Sequence, residues 1–525
     1  MPPIAKNKSN VFKVEAEIKL KAKKIAVSGF SVNYNLNRTP TAQIQLALGG
    51  GYNVKGTTKR AVPSEIEEGD EITITYKHIG AKTYGGTIFE GIVSGVTMSK
   101  ASSAGGTTVG AVVNAVHKLS LIGGLPTVAR AYFVDTSFTT YADDYQTNKT
   151  GQIPGIGSTA DRALSGLLKQ LSDKEVNPGE FIKDSLIALY ESEAGPDSGK
   201  GNDAALPAVK KGRIRAANPK AIAFLKTIEV LNMDVVAGKA IKGTTNYKLK
   251  TRLRTLFLKY WMKSNGLSLL TQAGKHVYGV IIPTATSAYI APNFPLSKIA
   301  VKTITATEIF AVNTRSSLSP TPVVGVRLLY SKIDNDSAIA KAGAGGLFAQ
   351  YPPIEDKVEG IYEYIKAPDW AILSKDLLRS KPVTPTKIGT KIQPQHASNM
   401  VQEDKKNEKA TTEDLKRWAE RIAKTEYNTR SWAKNSFTMS VPMSFNLSPG
   451  MVIAIDVSGD KIATSLFGDT KLFGQVQSVS IRSSASSYSM QVGVAYVRNQ
   501  VENEKYGFDK HPLYTDYVMK EIKLY

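Results

Sequence analysis

One unit of this chain is written twice, and nothing else in the sequence constrains the possible folds as tightly. Phe437, Met439 and Val441 alternate with Ser436, Thr438 and Ser440, the period of a strand with one buried face. A Ser448-Pro449-Gly450 turn leads into MVIAIDV (Met451–Val457), a Gly-containing loop, and LFGQVQSVSI (Leu472–Ile481). Near the N-terminus, Glu68-Gly69-Asp70 leads in the same way into EITITY (Glu71–Tyr76), a Gly-rich loop, and IFEGIVSGVTM (Ile88–Met98). Phe89, Gly91, Val93 and Val96 thus stand against Phe473, Gly474, Val476 and Val479, and the turn glycines Gly69 and Gly450 precede the strand glycines by similar distances. A glycine inside a strand marks a bulge or a close backbone approach, so its recurrence predicts one sharp bend built twice. The competing reading is that any two antiparallel hairpins look alike. The backbones of residues 11–125 and of 300–335 plus 411–497 decide between the two.

The remaining segments fit around this pair. Alternation over Val11–Leu20, Ile25–Leu36 and Ala42–Leu48 adds three strands to the first copy, and Ala111–Ile122 is expected to close it as a small barrel. Residues 1–130 are therefore read as a first β-barrel and 131–217 as a helical insertion, with apolar spacing over 159–193, and a mobile loop over 194–218. Residues 218–299 read as an α+β middle domain, with helices over Ala221–Val236 and Leu249–Met262 and strands over Gly266–Thr271 and His276–Ile282. Strands over Ile299–Val312 and Val323–Tyr330 open a second barrel spanning 300–335. An extended interruption of few large apolar residues follows over 336–410, including the linker 374–410. The second barrel resumes over 411–500. Its first part, Thr411–Tyr427, places Leu415, Trp418, Ala419, Ile422 and Ala423 on one stripe of an amphipathic helix behind a Thr411/Asp414 cap. The aromatic end, 501–525, is expected to be a docking tail. The fold class is mainly β with α+β insertions, built on two similar small antiparallel barrels.

The run from Trp418 through Pro449-Gly450 to Phe473-Gly474-Gln475-Val476, with IFEGIVSGV as its N-terminal counterpart, resembles the hub proteins of phage baseplates and related contractile injection machines. Those hubs carry two small barrels in one chain, each similar to the tail-tube subunit. The resemblance covers the two barrel regions and rests on a pattern without any catalytic motif. It implies a homotrimer presenting six barrels, which adapts a hexameric tail tube protein to a trimeric central spike. Other baseplate proteins and the end of the tape measure are further implied partners, DNA passes only through the lumen, and the location is the virion after assembly in the host cytoplasm. The strands flanking Phe89 and Phe473 are then expected to carry the inter-barrel contacts. Gly69, Gly91, Gly450 and Gly474 set the bends, and Trp418 and Pro449 belong to the same structural set.

Composition limits the alternatives. Across 525 residues, Lys and Arg exceed Asp and Glu by 67 to 46, a net charge of +21. Such an excess fits nucleic acid, an anionic surface or an acidic partner. The basic clusters around Lys19–Lys24, Lys210–Arg215 and Lys248–Arg254 are scattered, so a solvated face, a partner interface and nucleic acid all remain readings of each. The chain has no cysteine, which removes disulfides, thiolate metal sites and a cysteine nucleophile. No apolar run is long enough to span a membrane, and MPPIAKNKSN does not read as a signal peptide. His78, His117, His276, His396 and His511 show no metal-ligand spacing, and no nucleophile elbow or phosphate loop occurs. No catalytic residue, cofactor or metal is therefore expected. A nucleic-acid-binding protein is the alternative function, and a cell-wall hydrolase component the third.

Overall fold

The computed structural model describes residues 13–20, 23–25, 27–46, 66–79, 84–103, 106–123, 219–231, 279–309, 311–316, 325–331, 358–365, 427–430, 435–483, 488–512 and 517–525, with isolated positions at 179, 180, 183, 187, 267, 270, 271, 424, 425, 432, 433 and 514. The loop 194–218, the linker 374–410, the Leu249–Met262 helix and Trp418 lie outside the described residues. Of the helix expected over Thr411–Tyr427, only Lys424, Thr425 and Tyr427 fall within them, and all three are helical.

The first region contains strands β1 (Lys13–Leu20), β2 (Lys23–Ile25), β3 (Val27–Asn35), β4 (Thr41–Leu46), β5 (Glu71–Ile79), β6 (Tyr84–Ser103) and β7 (Gly106–His117), then helix α1 (Ser120–Gly123). The middle region holds α2 (Pro219–Thr227), β8 (Glu229–Val230), β9 (Gly279–Pro283) and β10 (Ala288–Pro292). Next come β11 (Lys302–Ile304), a 3-10 turn (Ala306–Glu308), β12 (Ala311–Ser316), β13 (Gly325–Ser331) and β14 (Val358–Ile365). The last region is β15 (Asn435–Val441), β16 (Val452–Asp456), α3 (Lys461–Phe467), β17 (Lys471–Ser483), β18 (Tyr488–Asn499) and α4 (Gln500–Tyr506). Alternation places these strands as the sequence predicts: β4 (TAQIQL) and β15 (NSFTMSV) bury every second residue.

Thirteen strands share one sheet, and its pairing order has two halves. In the first half the order is β3-β4-β7-β6-β5-β1-β2. The path leaves residues 27–35 and returns to residues 23–25, one residue away along the chain, which is the connectivity of a closed barrel. In the second half β12-β15-β18-β17-β16-β11 leaves residues 311–316 and returns to 302–304, on the other side of the 3-10 turn. The first half has one strand more, because β1 is interposed between β5 and β2, whereas β11 pairs directly, and in parallel, with β16. The halves join where β17 runs antiparallel to β3. One hydrophobic core cluster extends through both, from Phe30, Val32 and Ile44 to Met439, Ile453 and Val492.

The strand expected over Val323–Tyr330 as part of the second barrel pairs instead, as β13, with β14 in a separate two-stranded sheet, and β14 is itself a strand inside the interruption expected over 336–410. Other elements depart from the sequence reading too. The strand expected over Ala111–Ile122 ends at His117, because Leu119 and Ile122 are buried in the turn and short helix that follow it instead. The helix expected over Ala221–Val236 stops at Thr227, whose hydroxyl caps the Phe224 carbonyl at 2.7 Å. The chain then pairs in parallel with β10. Leu267, Leu270 and Thr271 are helical rather than extended, as the three-residue spacing of the two leucines permits. The strand expected over Ile299–Val312 is split by the 3-10 turn, where the Glu308 carboxylate reaches back to the Thr305 amide at 2.9 Å.

Candidate assembly interface

The two glycine-containing units have the same backbone hydrogen bonds. The Gly69 amide donates to the Val93 carbonyl at 2.8 Å, and the Val93 amide donates to Asp70 at 2.8 Å. In the second half the Gly450 amide donates to the Val476 carbonyl at 2.7 Å, and the Val476 amide donates to Met451 at 2.8 Å. Both turn glycines are left-handed, with φ of +92° and +91°. Immediately after each valine the strand bulges, over Val93–Gly95 and over Val476–Ser478. Two residues before each valine stands the strand glycine. A Cβ on Gly91 would lie 2.3 Å from the Val116 carbonyl oxygen, and one on Gly474 would lie 2.9 Å from that of Ala495. Val116 and Ala495 occupy the same ladder position, since Val93 pairs Ala115 and Val476 pairs Val494.

This correspondence shifts one of the sequence pairings. Phe89 lies opposite Ile74, and its counterpart opposite Ile455 is Leu472, not Phe473. Phe89 and Leu472 are both fully buried in the shared core. Phe473 matches Glu90 on the opposite face, where the Lys471 ammonium sits 5.5 Å from its ring centre. Because Phe473 adjoins Gly474 while Phe89 is two residues from Gly91, the one-residue offset reverses the face in a strand. Pro449 is buried beside Gly450, whose added Cβ would meet Ile282 Cδ1 at 2.7 Å.

The strand carrying Phe473 reaches the other half; among the described residues, the strand carrying Phe89 does not. Ser478–Ser483 of β17 pair with Asn35–Phe30 of β3, with Val479 opposite Tyr34 and Ile481 opposite Val32, all four buried. Among the described residues β6 pairs only with β5 and β7. The β3 side of this seam was not singled out in the sequence, although its Phe30, Val32, Tyr34 alternation is as regular as that of the glycine-bearing strands.

The β9–β10 turn and the C-terminal tail connect the two halves. The Ala285 carbonyl accepts from the Glu90 amide at 2.8 Å and lies 3.2 Å from His117 Nε2, while the Ala285 amide donates to Leu524 at 2.7 Å. His117 Nδ1 accepts from the Leu119 amide, so the proton resides on Nε2, and the ring lies edge-on between Phe89 and Phe224. Burial holds its pKa down at about 3. His511 is likewise buried, with Nε2 2.9 Å from the Asn293 carbonyl among Phe294, Tyr514 and Tyr517, and burial again lowers its pKa to about 3. Both histidines, isolated in the sequence, are core residues. Arg498 is fully buried on β18. It donates to Asn503 Oδ1 (2.8 Å) and to the carbonyls of Pro295 (3.2 Å), Tyr496 (3.0 Å) and Ser297 (2.7 Å). Desolvation lowers its pKa to about 9. The tail then follows the second half, with Ser448 Oγ donating to Ile522 at 2.8 Å and the Tyr525 amide donating to Asn446 Oδ1 at 2.9 Å. Among the described residues no cluster of His, Asp and Glu is placed to hold a metal, and no helix is long and apolar enough to cross a membrane.

No protein-family model matches the chain, and no curated protein matches it in sequence. Several solved structures are similar to it. A tail protein from Neisseria meningitidis MC58 covers 92% of this chain and 96% of its own, at 6% identity and a TM-score of 0.42. The 43 kDa tail protein of prophage MuSo2 from Shewanella oneidensis covers 93% and 99%, at 11% identity and a TM-score of 0.41. An E. coli component of the type VI secretion system, described as structurally similar to T4 bacteriophage tail proteins, covers 94% and 78%, at 9% identity and a TM-score of 0.31.

Proposed function

We propose that this chain is a structural hub of a phage-type tail, in which three copies form a pseudo-sixfold ring that adapts a hexameric tube to a trimeric spike. The observation that carries the reading is the duplication: the path β3-β4-β7-β6-β5 is matched by β12-β15-β18-β17-β16, with the same glycine turn and the same bulge after the valine in each half of a single chain. A chain with two equivalent barrels joined side by side supplies two of the six positions of a ring, so three copies supply all six. Each protomer also carries features that are not duplicated, including the middle sheet and the tail. One face of the ring can therefore keep threefold symmetry. The role is architectural, and the buried histidines and Arg498 hold elements together rather than act on a substrate. Sedimentation of the purified chain, alone and with tube and spike proteins, tests the reading. A trimer, or a trimer formed on adding the spike, is the expected result. A monomer indifferent to both partners overturns it.

A further inference from the structure

The seam inside the chain also specifies the seam between chains. The ladders fix the counterparts of its residues. Val479 opposite Val492 corresponds to Val96 opposite Val113, so Ser478–Ser483 of β17 match Gly95–Lys100 of β6. Phe30 opposite Ile44 corresponds to Val312 opposite Met439, by way of the β4–β7 and β15–β18 ladders, so β3 matches β12. In the second half, β16 stops pairing with β17 at Gln475, and β3 takes over that edge from Ser478. In the first half, β5 stops pairing with β6 at the matching residue, Ile92. Among the described residues nothing takes over from Gly95. Likewise β12 pairs only with β15, and its other edge has no described partner.

We infer that Gly95–Lys100 of one copy pairs antiparallel with β12 of a second copy, in the register Val96–Ser316, Thr97–Arg315, Met98–Thr314, Ser99–Asn313 and Lys100–Val312. The register is the β17–β3 register carried over residue by residue. Exposure supports the occupant. Met98 is 62% exposed, whereas its counterpart Ile481, covered at the internal seam, is 0% exposed. A sheet edge left open in this way is a template for another strand. The contact is head-to-tail, so each added copy presents the same free edge again until the ring closes. The number of copies rests on the hub reading, but the register does not.

The absence of native cysteine permits a direct test. A chain carrying Thr97→Cys and Arg315→Cys, and a second carrying Met98→Cys and Thr314→Cys, cover both kinds of antiparallel pair, whose Cα separations of about 4.5–5.5 Å suit a disulfide. Oxidised under mild conditions, at least one of them is expected to give a covalent ladder ending at the trimer. Thr97→Cys with Asn313→Cys, two residues out of register, should give at most about a tenth of the product. In-register linkage that ends at another size supports the strand pairing and overturns the threefold ring. A trimer by sedimentation with no in-register linkage in either chain overturns the strand pairing and leaves the hub reading standing. As an independent measure, Met98→Glu should raise the dissociation constant of the oligomer at least about tenfold with an unchanged circular dichroism spectrum. An unchanged constant counts against the inference.

Discussion

Three of the four bend glycines, Gly69, Gly450 and Gly91, differ in what a side chain would meet, and this sets an order of sensitivity among them. At Gly69 the cost of alanine is conformational alone, because φ is +92° and nothing lies within 4 Å of the added Cβ. About 1–2 kcal/mol is expected there. Gly450 adds a contact at 2.7 Å with Ile282 Cδ1, the far end of a side chain that can move. At Gly91 the obstacle is the Val116 carbonyl oxygen at 2.3 Å, part of the ladder itself. Gly91→Ala should therefore cost the most, about 3 kcal/mol or more, and urea midpoints measured for the series should fall in that order. Protonation acts on the same scale. His117 and His511 have pKa values lowered from 6.5 to about 3, so between these limits the unfolded chain binds protons that the folded chain does not. Their contribution is complete above pH 6.5 and declines as pH falls towards 3, each histidine costing about 2 kcal/mol by pH 5. Urea titrations between pH 7 and 5 should show this decline. His117→Gln and His511→Gln should each reduce its slope by about one proton.

At the scale of elements, what the sequence revealed was local and what it concealed was partnership. Turn glycines, alternating strands and the strand glycine could be read because each follows from the geometry of its own few residues. The equivalence of Phe89 and Phe473 could not, since a one-residue offset is settled by the facing ladder, where Leu472 meets Ile455. The seam was half legible: the β17 side carried a motif, while the β3 side looked like any other half-buried strand. His117, His511 and Arg498 gave no signal because their partners are carbonyls more than a hundred residues away, at Ala285, Asn293, Pro295 and Ser297. The tail shows the same limit. Its aromatic residues marked it as docked, but its surface is assembled from Asn446, Ser448 and Ala285. Ending the chain after Lys523 removes Leu524, 1% exposed and part of the shared core, together with the bonds at Asn446 and Ala285. A loss of about 3 kcal/mol in urea unfolding is expected, from one buried leucine and the hydrogen bonds lost with it.

For the whole molecule, charge and assembly make separable demands. A net charge of +21 attracts polyanions at low ionic strength regardless of what the chain does. Such binding displaces counterions, so a protein contacting several phosphates loses about 10³-fold or more in affinity between 50 and 200 mM salt. The proposed ring, closed by backbone ladders and by side chains such as Met98 that the seam would bury, should have no comparable dependence, since long-range charge interactions are screened within about 8 Å at physiological salt and contribute little to such a seam. Screening also weakens repulsion between like-charged copies, so added salt should favour the ring rather than dissolve it. In sedimentation at 50, 200 and 500 mM salt with and without a DNA fragment, the trimer is expected to persist while any comigrating DNA is lost by 200 mM. If the oligomer dissolves along with the DNA, charge is what holds the copies together, and the basic surface rather than the sheet edge becomes the site to explain.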